Sequence, residues 1–357
     1  MNALHIHAGP RALKHLRERG LAPADVRAIP AAAGGPKGLV LNPLDRYLFG
    51  EWLAASDHPV HLLGASIGAW RMACACLADP DAAFAQLAED YIHQDYPHAP
   101  GKAPKPADVS AVFGAKLAER FGGREAELLQ HPRYRLHVFT SRGRHLLRRD
   151  APLRTPLGYL GAFATNAVSR RAMGAWLERV VFSAPAAEPL PIPLRDYRSR
   201  SVALTAANLQ PSLLASCSIP MWLNAVRDIA GAPRGAYWDG GITDYHLHLD
   251  YAAMPEGLVL YPHFQRSVIP GWLDKPLKRR HRTTPLLDNV IVLSPNPAWV
   301  ASLPRGKLPD RSDFKHFGDD HAGRVIAWSR AVRESERLRD DFAAWVNGAK
   351  EFEVQAL

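Results

Sequence analysis

A chain of 357 residues, 47% of them hydrophobic, carries enough apolar side chain for a large core. Its three cysteines, Cys74, Cys76 and Cys217, are too few for a disulfide framework, fit a reducing compartment and lack any Cys-x-x-Cys or His/Cys metal spacing. A formal charge of +9 favours contact with something anionic, yet no helix-turn-helix, zinc-finger or RRM-type signature points to nucleic acid.

The first residues, Met-Asn-Ala-Leu-His-Ile-His, do not read as a secretory signal, and no apolar run approaches the roughly 18–20 residues that span a bilayer. The expectation is a soluble cytoplasmic protein. Residues 11–19 read as a basic amphipathic helix with Leu13 and Leu16 on one side and a stop at Gly20. Residues 26–33 form a strand leading into Gly34-Gly35-Pro36-Lys37-Gly38. Residues 39–49 look like a helix interrupted early by Pro43. A strand-type run at 60–63 precedes a helix at 67–77. Strand, glycine loop, helix, strand, turn and helix in that order predict an α/β protein with parallel strands.

The proline-rich stretch 93–106 reads as a loop or lid. Residues 133–140 alternate like a half-buried strand, followed by a basic stretch at 142–149. A helix is expected over 165–181, a strand over 201–207, and a short helix within 210–223 that ends at Pro220. Strands follow at 257–264 and 289–294. Between them Lys275, Lys278, Arg279, Arg280 and Arg282 mark a surface loop that could meet phosphate groups at an anionic membrane. From Asp320 to about Trp345 the chain reads as helix, with Trp328, Val332, Leu338, Phe342 and Trp345 facing inward. Neither an internal repeat nor a clean linker appears, so residues 1–357 are read as one domain.

Chemistry gathers at three places. Gly64-Ala65-Ser66-Ile67-Gly68 is a G-x-S-x-G pattern between a strand and a helix, where a sharp turn holds the Ser66 hydroxyl clear of the sheet. Gly34, Gly35, Lys37 and Gly38 each carry an amide that a glycine-rich turn can aim at one point, as an oxyanion hole or a phosphate cradle; Pro36 has none. The loop lacks the spacing of a P-loop or of GxGxxG. Asp239, with Gly240 and Gly241 behind it, is a candidate base. His246, His248, His263, His316 and His321 offer the alternative of a Ser–Asp–His order. Asp244, His246, His248 and Asp250 could also hold a metal if residues 244–250 form a strand, since alternation would place both histidines on one face.

The glycine loop with its Lys37-Gly38, then G-x-S-x-G, then Asp239-Gly240-Gly241, in that order, resembles the patatin-like phospholipases. So does the Ala-Ser-Cys-Ser-Ile-Pro segment at 215–220. The resemblance covers roughly residues 26–245, beyond which the strands and helix of 257–349 carry no matching motif. It departs from the family at Ala33, where a first glycine is usual, and at Lys37 in place of arginine. It implies a three-layer α/β/α fold with a mostly parallel central sheet. It also implies a Ser66–Asp239 dyad without histidine, an oxyanion hole from Gly34, Gly35 and Lys37 or Gly38, and a lipid ester as substrate, with no cofactor and no metal. A catalytically silent relative that binds lipid or protein is the competing reading. A carboxylate serving as base should be partly buried with a raised pKa.

Overall fold

The computed structural model describes residues 2–96, 104–185 and 189–357. Eleven strands build one sheet: β1 (Leu4–Ala8), β2 (Val26–Ala31), β3 (Val60–Ala65), β4 (Tyr134–Gly143), β5 (Leu177–Ser183), β6 (Ser199–Ala203), β7 (Val226–Arg227), β8 (Ala236–Asp239), β9 (Leu258–Pro262), β10 (Val290–Pro295) and β11 (Val354–Ala356). Their main order is β11-β1-β10-β9-β2-β3-β4-β5-β6, and the run from β10 to β4 is parallel throughout. Parallel strands need both faces covered, and the sequence meets that need with apolar residues on both faces of these strands. Along β3, Val60 and Leu62 enter one core, while Leu63 and Ala65 enter the other.

The helices, in chain order, begin with α1 (Pro10–Arg19), α2 (Asn42–Tyr47), α3 (Ile67–Ala75), α4 (Pro80–Ile92), α5 (Pro106–Phe121) and α6 (Glu125–Leu129). There follow α7 (Arg154–Val168), α8 (Arg170–Met173), α9 (Ala206–Cys217), α10 (Gly241–Asp244), α11 (Pro297–Val300), α12 (Ser312–Phe317), α13 (His321–Glu334) and α14 (Glu336–Val346). Leu44 of α2, Trp70 of α3, Phe84 of α4, Phe121 of α5, Leu213 of α9 and Phe342 of α14 join the first core, so that face is covered by helices. The opposite face is closed by α7, α8 and α10 with a long irregular segment, whose Leu247, Tyr251 and Phe264 pack on the sheet. The architecture is the expected α/β/α arrangement around a mostly parallel sheet, with a thinner second layer.

β4 positions the site. Its first six residues pair with all of β3, ending at Ala65 opposite Phe139. It then runs beyond the end of β3, and the short β8 joins it antiparallel there, with Asp239 opposite Thr140. The residue after β3 and the last residue of β8 therefore meet at one step of the sheet, although 173 positions separate them in sequence.

Several expectations need correction. The helix expected over 165–181 is instead α7, which stops at Val168, then α8 and β5; Val180 and Phe182 face one core and Val181 the other, a period of two that no helix supports. Pro43 opens α2 rather than interrupting it, because its fixed φ suits a first helical turn. The long helix from Asp320 divides at Ser335: Trp328 of α13 joins a separate cluster from Leu338 and Phe342 of α14. Of the expected strand over 201–207, Ser199–Ala203 forms β6, and α9 has begun by Ala206. β1 was not foreseen; it pairs antiparallel with β10. Residues 97–103 of the expected lid lie outside the described residues.

Candidate active site

Ser66 takes φ 57° and ψ −133°, a left-handed conformation that costs a non-glycine residue about 1–3 kcal/mol. Its neighbours make that turn fit. A Cβ on Gly64 would lie 2.3 Å from the Ala69 Cα, and one on Gly68 would lie 2.0 Å from the Ala31 carbonyl oxygen at the end of β2. The two glycines of G-x-S-x-G thus let α3 start against the sheet without a clash.

The Ser66 hydroxyl donates to Asp239 Oδ2 at 2.7 Å. Asp239 Oδ1 accepts from the Gly241 amide, also at 2.7 Å. The 215–220 segment, at the C-terminal end of α9, ties the two halves together. Ser216 Oγ accepts from the Ser66 amide at 2.9 Å and donates to the Phe139 carbonyl at 2.7 Å. The Asp239 amide donates to the Ser218 carbonyl, and the Gly240 amide to the Ser216 carbonyl. Both candidate groups are buried, with 4% of Ser66 and 5% of Asp239 exposed. Burial pushes the Asp239 carboxyl up to about 6, against the opposing pull of the Ser66 hydroxyl, the Arg311 charge and the Gly241 amide. Cys217, alongside, is no rival nucleophile: burial pushes its thiol well above the usual range.

The glycine loop follows β2 and enters a 3-10 turn, Gly35–Leu41, with Gly34 as its cap. In such a turn each amide bonds three residues back, which directs those of Lys37 and Gly38 to the Gly34 and Gly35 carbonyls. The amides of Gly34 and Gly35 find no acceptor among the described residues. They are the donors the loop leaves open, a narrower set than the four named from sequence. Gly34 and Lys37 border the cleft over Ser66, whereas neither Gly35 nor Gly38 lines it.

That cleft, about 400 Å³, contains both Ser66 and Asp239. Ile219, Met221, Trp222 and Trp272 give it an apolar wall, and Tyr159 of α7 reaches in from the side. Three cations also border it. Lys37 lies 5.5 Å from the Phe264 ring centroid and Lys275 5.2 Å from that of Tyr245, and burial lowers the pKa of both. Arg311 is the third. Arg311, Tyr159, Met221, Trp222 and Trp272 belong to no sequence motif, so sequence reading missed them. Ser216 lay inside a quoted segment without an assigned role.

The alternatives built on histidine and metal find no support in the geometry. Among the described residues none of the later histidines hydrogen-bonds to Ser66 or Asp239; His246 bonds Ser267 and Ile269, His248 bonds Thr284, and His263 bonds Gln265. Residues 244–250 are not a strand, so His246 and His248 share no strand face. Asp244 is held by Arg179, Arg170 and the Tyr197 hydroxyl. No His, Cys, Asp or Glu cluster suited to a metal occurs among the described residues.

A family model for patatin-like phospholipase matches residues 44–247, a span that includes Ser66, the 215–220 segment and Asp239. A search of curated proteins finds no match to the chain.

Proposed function

Since the chain belongs to the patatin-like phospholipase family, we propose that it is a serine hydrolase of lipid carboxylic esters, with Ser66 as nucleophile and Asp239 as base. One observation carries the reading: the 2.7 Å hydrogen bond from a strained, buried serine to a buried aspartate whose carboxyl sits near 6. A carboxylate with that pKa is ionised at neutral pH yet basic enough to take a proton as the serine attacks.

In this mechanism the Ser66 oxygen attacks the ester carbonyl while its proton passes to Asp239. The oxyanion forms against the open amides of Gly34 and Gly35; in comparable sites one such donor is worth roughly 3–4 kcal/mol. Asp239 returns the proton to the departing alcohol, leaving an acyl-serine. It then takes a proton from water, whose oxygen attacks the acyl carbon, and gives that proton to the Ser66 oxygen as the acyl–serine bond breaks, freeing the acid and restoring the dyad. Every step uses groups of this chain, so the reading calls on no cofactor. The apolar wall suits an acyl chain, and Lys37, Lys275 and Arg311 suit the negative charge of a phospholipid head group.

A fluorophosphonate probe and p-nitrophenyl butyrate test the dyad on wild type, Ser66→Ala and Asp239→Asn. Loss of labelling in Ser66→Ala, with turnover down by about 10³-fold or more in both variants, is the expected result. Labelling that survives Ser66→Ala, or a folded wild type that neither labels nor turns over, moves the silent-relative reading to the front.

A further inference from the structure

α7 is a 15-residue helix with no charged residue after Arg154. A helix beside a catalytic cleft ordinarily turns apolar residues inward and polar ones out. Here both sides are apolar. Ala162 is buried and Tyr159 reaches the cleft, while Leu153, Leu157 and Leu160 line up at four- and three-residue spacing, with Val168 about two turns further on, and 58–84% of each is exposed. Exposed leucines one by one are ordinary, but a continuous stripe of them is not.

The stripe continues into the rim of the cleft. The turn bearing Trp272 packs against α7, and the Ala225 amide donates to Asp150, just before α7, at the end of the segment bearing Met221 and Trp222. Met221, Trp222 and Trp272 are each more than half exposed and also line the cleft wall. Most of the large apolar side chains left exposed among the described residues therefore collect around the mouth over Ser66.

Cations frame this apolar face. The basic loop docks on the C-terminal end of α7, where Arg279 donates to the Ala167 carbonyl and Arg280 to Asn166 and Asp274. Lys278 and Arg282 are exposed in the same loop, and Arg149 and Arg154 stand at the other end of α7. None of these four pairs with a carboxylate among the described residues. An apolar centre with tryptophans at its edge, bordered by unpaired cations, matches the layering of an anionic lipid surface, hydrocarbon inside and phosphate outside.

We propose that α7 and the rim of Met221, Trp222 and Trp272 form a docking face for an anionic membrane surface, which sets the cleft directly over its lipid. The inference rests on the lipid reading of the site, and it shifts the membrane contact from the basic loop alone to an apolar face that the loop flanks. Arg279 and Arg280 serve mainly to fasten that loop to α7.

Co-sedimentation with vesicles of phosphatidylcholine and phosphatidylglycerol tests it independently of chemistry, because Ser66→Ala can be used as the bound protein. Wild type and Ser66→Ala should bind these vesicles alike and bind pure phosphatidylcholine less. Leu157→Gln combined with Leu160→Gln should weaken binding about tenfold or more, with p-nitrophenyl butyrate turnover within about twofold of wild type. Arg154→Glu with Lys278→Glu provides a second variant that leaves the stripe intact, and it should lose the preference for anionic vesicles. Unchanged binding by both variants, or no binding by wild type, overturns the proposal. A dimer by light scattering that the leucine variant dissociates does so too, by giving the face to a second copy. A failed dyad with intact vesicle binding would instead count against the hydrolase reading alone.

Discussion

At the scale of single residues, the site turns on the environment of one carboxyl. Burial raises Asp239 to about 6, and in the proposed mechanism it must be ionised to accept the Ser66 proton. Activity toward a soluble ester should therefore rise with pH through about 6 and level off above about 7. Arg311 opposes that rise by favouring the charged form, so Arg311→Gln should move the acid limb of kcat/KM to higher pH. A profile flat from pH 5 to 8 in the wild type would remove Asp239 as the base. Ser66 and Asp239 could be picked out from sequence because their motifs constrain backbone as well as chemistry. Arg311 could not, since an exposed arginine in an irregular segment has no local pattern that announces it.

At the scale of elements, one ion pair holds the two loops of the site in register. Arg71, on the second turn of α3, makes two 2.8 Å bonds to Asp45 of α2, the helix that follows the glycine loop. Both side chains are at most 5% exposed. Burial alone drives the Asp45 carboxyl up, and the Arg71 charge offsets that in part. Removing the arginine leaves a buried carboxylate without a partner, so Arg71→Leu should cost about 3–5 kcal/mol in urea unfolding. Adding Asp45→Asn should return part of that loss, a coupling a double-mutant cycle would measure. If Arg71→Leu unfolds like wild type, the pair is not what joins α2 to α3. The Arg179–Asp244 pair has the same character, and it engages the aspartate that the metal alternative would have used. Its true partner arrives from β5, 65 positions earlier.

Across the whole molecule, six histidines are buried among the described residues, and burial disfavours the charged form of each. Burial lowers His61 and His248 to about 4, and His137 and His263 to about 3. His61 and His137 sit side by side on β3 and β4, with ring nitrogens 2.9 Å apart, so a charge on one is resisted by the other. Each of these pKa values lies below the 6.5 of an unfolded histidine. The unfolded chain thus takes up protons that the folded one refuses, and the stability these groups give is full above about 6.5 and lost as pH falls toward about 4. Asp239, raised to about 6, acts in the opposite sense over that range and burial raises Asp45 as well, but His7 and His131, also lowered to about 4, add to these four histidines. The urea midpoint should fall clearly between pH 7.5 and pH 5; an unchanged midpoint would show that these histidines titrate normally in the folded chain.

The sequence by itself determined the local pieces. Glycines at 64 and 68 mark a turn that α3 and β2 would otherwise forbid, and apolar runs without alternation mark strands buried on both faces. Those signals are local because steric limits and burial act on a few neighbouring residues at a time. Where the period was ambiguous, as at 165–181, the reading failed. The tertiary structure decided everything that depends on one segment meeting another. It set β8 against the free end of β4 so that Asp239 reaches Ser66, and directed Arg179 to Asp244. It also turned the leucines of α7 to the outside. Such pairings are fixed by the register of strands and the packing of the whole sheet, which no stretch of sequence encodes alone.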